Sequence, residues 1–160
     1  MLFRSVIGNA EEARGAQVFG TISAEAFQAN LSAVAQVFEL AGEASSGDVL
    51  RLTEDGRKVT RATEVGDRRV VGVLTDKPAL LLGGALSASR VAVAVQGEVI
   101  TKVEADSSPI HPGDLLGPSA IIGHACKVTD PAASIGAIIG KALEPLDSGR
   151  STMRMLVWSR

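Results

Sequence analysis

Two side chains of the kind that carry nucleophilic chemistry stand close together in this sequence, His124 and Cys126. Two apart on a strand they would share a face, and a thiol beside an imidazole is the minimum for a thiolate nucleophile. Side chains at that spacing splay in parallel instead of meeting, and no Asn or Asp is obviously placed to orient the histidine. The sequence therefore makes a buried cysteine the simpler expectation. His111 lies between Ile110 and Pro112 and reads as a solvated turn residue. The glycines at 83, 84 and 97 lack the Gly-Lys-Ser/Thr ending of a phosphate loop. The aspartates of the Gly-Asp pairs are better suited to capping turn amides than to holding a cation. Arg68-Arg69 beside Asp67 is expected on a solvated strand edge, where charge discourages further pairing.

Composition bounds the partners. The chain has 160 residues, 46% of them hydrophobic, enough for one sizeable core. Sixteen basic against eighteen acidic residues give a net charge of −2, so no polyanion is called for. Four Phe, one Trp and no Tyr leave little for base stacking, and nucleic acid is not expected as a partner. With one cysteine and two histidines, neither a disulfide framework nor a Cys/His zinc site is expected. No window is apolar over a bilayer-spanning length, so no membrane partner is expected and synthesis in the cytoplasm is. Nothing in the sequence requires a cofactor.

These residues must be positioned by strands. Residues 1 to 20 carry Gly8, Gly15 and Gly20 and support neither a long helix nor a strand pair. Residues 20 to 30 admit either a short helix from a Ser23 N-cap or an extended strand with Ile22 and Phe27 as its anchors. Either form has too few large side chains to bury itself without another chain. Val37-Phe38-Glu39-Leu40, closed by Gly42, reads as a strand entering a sheet. From Gly47 onward short β-branched runs alternate with Gly, Asp or Pro, the pattern of an all-β barrel or sandwich.

Two segments match when laid side by side. Ser46-Gly47-Asp48-Val49-Leu50, then Gly56, Arg61-Ala62-Thr63 and Val70-Val71-Gly72, correspond to Pro112-Gly113-Asp114-Leu115-Leu116, Gly123, Lys127-Val128-Thr129 and Ile138-Ile139-Gly140. The expected fold is therefore a compact all-β domain, barrel-like or a sandwich, built from two similar β-units about a pseudo-two-fold axis and preceded by an extended N-terminal segment. Leu80-Leu81-Leu82-Gly83-Gly84 and a Val91–Val103 hairpin turning at Gln96-Gly97-Glu98 are expected to link the halves.

Gly20-Thr-Ile-Ser-Ala through Phe27 resembles the shaft strands of trimeric phage tail fibres. Val34-Ala-Gln-Val-Phe-Glu-Leu, Arg68-Arg-Val-Val-Gly-Val, Pro109-Ile-His-Pro-Gly-Asp-Leu-Leu, Gly123-His-Ala and Ile138-Ile-Gly-Lys-Ala-Leu-Glu-Pro-Leu together resemble the peptidase G2 type domain. That domain is the self-cleaving intramolecular chaperone at the C-terminus of phage tail or neck-appendage proteins. The resemblance implies a fibre-like segment over residues 1–31 and a chaperone or autoprocessing domain over 32–160. It also implies a homotrimer that aligns the upstream fibre segments, is made in the host cytoplasm and ends up on the virion tail or appendage.

The family cuts itself at a Ser-Asp bond, with a Glu three residues after the Asp. The matching positions here are Ser32, Ala33 and Gln36, so the serine stands and both carboxylates are absent. Peptide cleavage needs a positioned acid or base, worth about 10²–10⁴ in rate each, so this junction is expected to stay uncut. The alternatives are a non-proteolytic trimeric cap or decoration domain, and a thiol hydrolase using Cys126.

Overall fold

The computed structural model describes residues 33–158, all of them in strands, turns and irregular connections. The expected fibre-like segment 1–31 and Ser32 lie outside the described residues. Ten strands follow in order: β1 (Val34–Glu39), β2 (Val49–Leu52), β3 (Val59–Arg61), β4 (Val70–Leu74), β5 (Leu80–Leu82), β6 (Arg90–Glu104), β7 (Leu115–Pro118), β8 (Ala125–Lys127), β9 (Gly140–Ala142) and β10 (Arg150–Trp158).

The all-β expectation holds, and the duplication is carried by the strand register. Leu50 of β2 faces Arg61 on β3 and Gly72 on β4, while Leu116 of β7 faces Lys127 on β8 and Gly140 on β9. The same three pairs of residues matched in the sequence. In each unit the glycine of the Gly-Asp pair has a left-handed backbone, φ +89° at Gly47 and +93° at Gly113, which only glycine adopts without strain. The turn is tied alike in both: the Asp48 amide donates to the Ser45 carbonyl at 3.0 Å and the Asp114 amide to the His111 carbonyl at 3.0 Å. Each aspartate carboxylate accepts the amide of the residue three before it, at 2.8 Å.

The repeat runs further than the sequence match. Gly72 and Gly140 lie so close to the next strand that a Cβ would overlap the carbonyl oxygen of Ala94 on β6 or of Leu156 on β10. The first half of β6 therefore does in the first unit what β10 does in the second. Leu40, just after β1, bridges Val59 in parallel, and Val103 of β6 meets Ala125 of β8 in the same way. Strands β1, β6, β4, β2 and β3 form one ring closed by the Leu40 bridge. Strands β6, β10, β9, β7 and β8 form the other.

Both rings thus share β6. The hairpin expected at Gln96-Gly97-Glu98 does not exist: Gly97, at φ +99°, bends one continuous strand where its partners change. Residues Arg90–Gln96 pair with β1 and Gln96–Glu104 with β10. The larger core gathers Val49, Val73, Val103, Ile110, Leu116, Ile139 and Met155, and a smaller one holds Leu50, Val59, Leu74 and Val93. Arg68 and Arg69 occupy the turn before β4 and not a strand edge. The Asp67 carboxylate accepts the Arg69 amide at 2.9 Å and so fixes that turn.

One ion pair joins the units. Lys102 Nζ, from the second half of β6, donates to the buried Asp48 at 2.6 Å and to Ser45 Oγ at 2.7 Å. Gly123 of the second unit lies against the same carboxylate, its carbonyl accepting the Val49 amide and its own amide donating to Ala62, both at 2.8 Å.

Candidate functional site

The junction that the family resemblance singles out sits at the entry of β1, between β5 on one side and β6 on the other. β1 forms there because small Ala33 and Ala35 can face the core while Val34, Val37 and Phe38 supply β-prone bulk. Ala33 is 2% exposed and packs in the larger core. Its carbonyl accepts the Ala79 amide at 2.9 Å and the Leu80 amide at 3.4 Å, so two donors converge on the first described residue.

Gln36 lies on β1 opposite Leu82 of β5 and Val93 of β6, and it is exposed. Three residues of strand put its Cα about 10 Å from that of Ala33. Burial alternates from Ala33 inward to Gln36 outward, so one copy of the chain does not bring the two side chains together. Ser32 is not among the described residues.

A position as dry as that of Ala33 has a definite chemical consequence. Burial disfavours the charged form of a carboxyl, so an aspartic acid there would hold its proton to higher pH, as a general acid must. Alanine can offer no proton.

The His124–Cys126 pair is separated by its own hydrogen bonds. His124 Nδ1 lies 2.9 Å from the Ile122 carbonyl, and the Cys126 thiol donates to the Pro118 carbonyl at 3.6 Å. Burial, and then the negative charge of Glu104, push the Cys126 thiol up to about 11. A thiol nucleophile needs the opposite shift.

Two features escaped the sequence reading. Glu104, buried in β6, accepts the Ser119 hydroxyl at 2.7 Å and the Asp106 amide at 2.8 Å, beside a cleft of about 340 Å³ that Cys126 also lines. Their separation in sequence hides that pair. On the outer face, Gln96, Lys141, Leu156 and Trp158 line an open groove of about 540 Å³. Lys141 Nζ is 5.6 Å from the centre of the Trp158 ring, a cation–π distance. Gln96 also pairs with Val34, which places this groove near the start of β1. The lone tryptophan was the only available signal for it.

No family model matches the sequence, and no curated protein matches it. Among solved structures the chain is similar to the pre-mature form of bacteriophage phi29 gene product 12, with a TM-score of 0.62 and 16% sequence identity. The similarity covers 86% of this chain and 23% of that one, so the chain spans about a quarter of that protein's length, and the likeness is one of fold.

Proposed function

We propose that this chain is the assembly domain of a phage tail appendage: a homotrimeric intramolecular chaperone of the self-cleaving type, held uncut by Ala33 and Gln36. The observation that carries this reading is the fold shared with pre-mature phi29 gene product 12 over 86% of the chain. The position of Ala33 agrees with it. The residue after the expected cut is buried and anchored by two amides just before β1, so a cut there would leave every strand of the two rings intact.

In this reading the domain gathers three copies, aligns their upstream segments and stays attached, because the junction lacks a proton donor and acceptor. The final location is the virion appendage. Restoring both carboxylates tests it. The Ala33→Asp/Gln36→Glu chain, refolded and shown by circular dichroism to be β-rich, should cut between residues 32 and 33, giving two masses by mass spectrometry. An intact mass from a well-folded oligomer after prolonged incubation would remove self-cleavage.

A non-proteolytic trimeric cap is the second reading, and one observation favours it. Positions 33 and 36 face opposite sides of β1, so carboxylates placed there in one copy would not act on one bond unless another copy supplied a group. A thiol hydrolase is disfavoured by the raised thiol at Cys126.

A further inference from the structure

The two units differ most in the connection that follows their third strand. After Leu74 and after Ala142 the chain leaves the sheet in the same way, with the Thr75 amide donating to the Ala92 carbonyl at 3.0 Å and the Leu143 amide to the Arg154 carbonyl at 3.1 Å. In the second unit residues 144–153 cover the interval. In the first unit residues 76–91 do, and they include β5, which has no counterpart.

This extra arm, Asp76 to Arg90, contains no buried residue. Pro78 to Ser89 is uncharged throughout. Leu80, Leu82 and Leu86 are 43%, 50% and 47% exposed. Among the described residues β5 pairs with β1 alone, so its outer edge presents open main-chain donors and acceptors. An uncharged, leucine-bearing open edge is a place for strand addition. The second ring closes without such an arm, so the arm is not a requirement of the repeated fold.

We propose that the Asp76–Arg90 arm is the surface through which one copy of this chain docks on a second copy. The occupant follows from where the rest of the chain joins. The 32 residues upstream of the described structure end at Ala33, whose carbonyl is held by Ala79 and Leu80 of the arm itself. A contact between copies at the arm therefore sets the starting points of their upstream segments side by side. The chain's own upstream segment, which joins β1 beside the first residue of β5, is the alternative occupant, and it predicts that charge on the arm leaves the mass of the assembly unchanged. Around a three-fold axis the contact is heterologous: the open edge of each arm meets another side of the neighbouring arm, so the three arms, and the Ala33 residues they hold, gather at the axis.

The proposal rests on the trimer reading and is tested separately from it. Light scattering coupled to size exclusion is run at about 10 µM on the full 160-residue chain and on the Leu80→Glu/Leu82→Glu and Ile135→Glu variants. Wild type and Ile135→Glu, altered at a residue 70% exposed away from the arm, should show the trimer mass. The double variant should fall threefold in mass. In a second measurement, Leu86→Cys in a Cys126→Ala background should give covalent dimers with a short bismaleimide, and Ile135→Cys in the same background should not. A trimeric wild type whose double variant is still trimeric, or whose Leu86→Cys chains stay uncoupled, overturns the arm as the interface and leaves the trimer standing. A monomeric wild type overturns the trimer reading and the arm proposal together.

Discussion

Placing a carboxylate at position 33 should unsettle this domain even where it supplies chemistry, and the size of the effect follows from burial. Ala33 is 2% exposed, with Val73, Ala94 and other apolar residues in its core cluster. An aspartate in a dry site has its pKa raised by roughly 3–5 from an unfolded value near 3.9. At pH 7 the folded chain must then keep a proton that the unfolded chain has released, which costs about 4 kcal/mol. The sign with pH is fixed. Below about 3.9 both states carry the proton and the penalty vanishes; it grows as pH rises and levels off above the folded pKa. Urea melts of Ala33→Asp, Ala33→Asn and wild type at pH 7 and pH 3.5 separate this charge effect from the bulk of the new side chain. The expected result is a deficit against Ala33→Asn that is large at pH 7 and absent at pH 3.5. Equal melts at both pH values would refute the reasoning, since they would mean that the carboxylate meets water or a cation that the described chain does not provide.

Three further outcomes are expected. Gly140→Ala should lower stability by about 3 kcal/mol in a chemical melt, because the added methyl overlaps the Leu156 carbonyl and the strand must move. Lys102→Met, which leaves the Asp48 carboxylate buried without its cation, should cost about 2 kcal/mol, while Lys127→Met at the more exposed Asp114 pair should cost under about 1, both read from urea midpoints. Cys126 should alkylate slowly at pH 8 and faster as pH approaches 11, and Cys126→Ala should leave the oligomeric mass unchanged. Because the thiol is raised in the folded state, its share of stability is intact below about pH 9 and is lost as pH climbs toward 11.

The duplicated unit was legible in the sequence because its signals are local. A Gly-Asp pair needs left-handed glycine and an aspartate that caps its own turn, and Gly72 and Gly140 are demanded by a neighbouring backbone. Gly97 defeated the same logic. A glycine with positive φ serves a reversal or a bend within a strand equally well, and only the long-range partners of β6 decide between them. β5 read as a link because three leucines before two glycines show no alternation, and β1, its one partner among the described residues, lies more than forty residues earlier. At the junction, the sequence identified Ala33 and Gln36 as substituted positions through resemblance. That the first is dry and the second wet, on opposite faces, depends on strands distant in sequence. Spacing alone indicated that the His124 and Cys126 side chains would splay, but the carbonyls that take them up, Ile122 in a turn and Pro118 on β7, are set by folding that spacing does not specify.

The shared strand also sets a clock. β1 waits for Arg90–Gln96 before it has a sheet partner on that side, and the second half of β6 waits in turn for β10, some fifty residues later. At about 5–20 residues per second, several seconds of synthesis separate the first strand from the last that must pair with it. Neither ring can be completed as an independent foldon, since each takes a wall from the same fifteen-residue strand. Contacts this distant in sequence close slowly and late. In the proposed trimer, growing chains on neighbouring ribosomes would thus have time to come together before any one of them has finished folding.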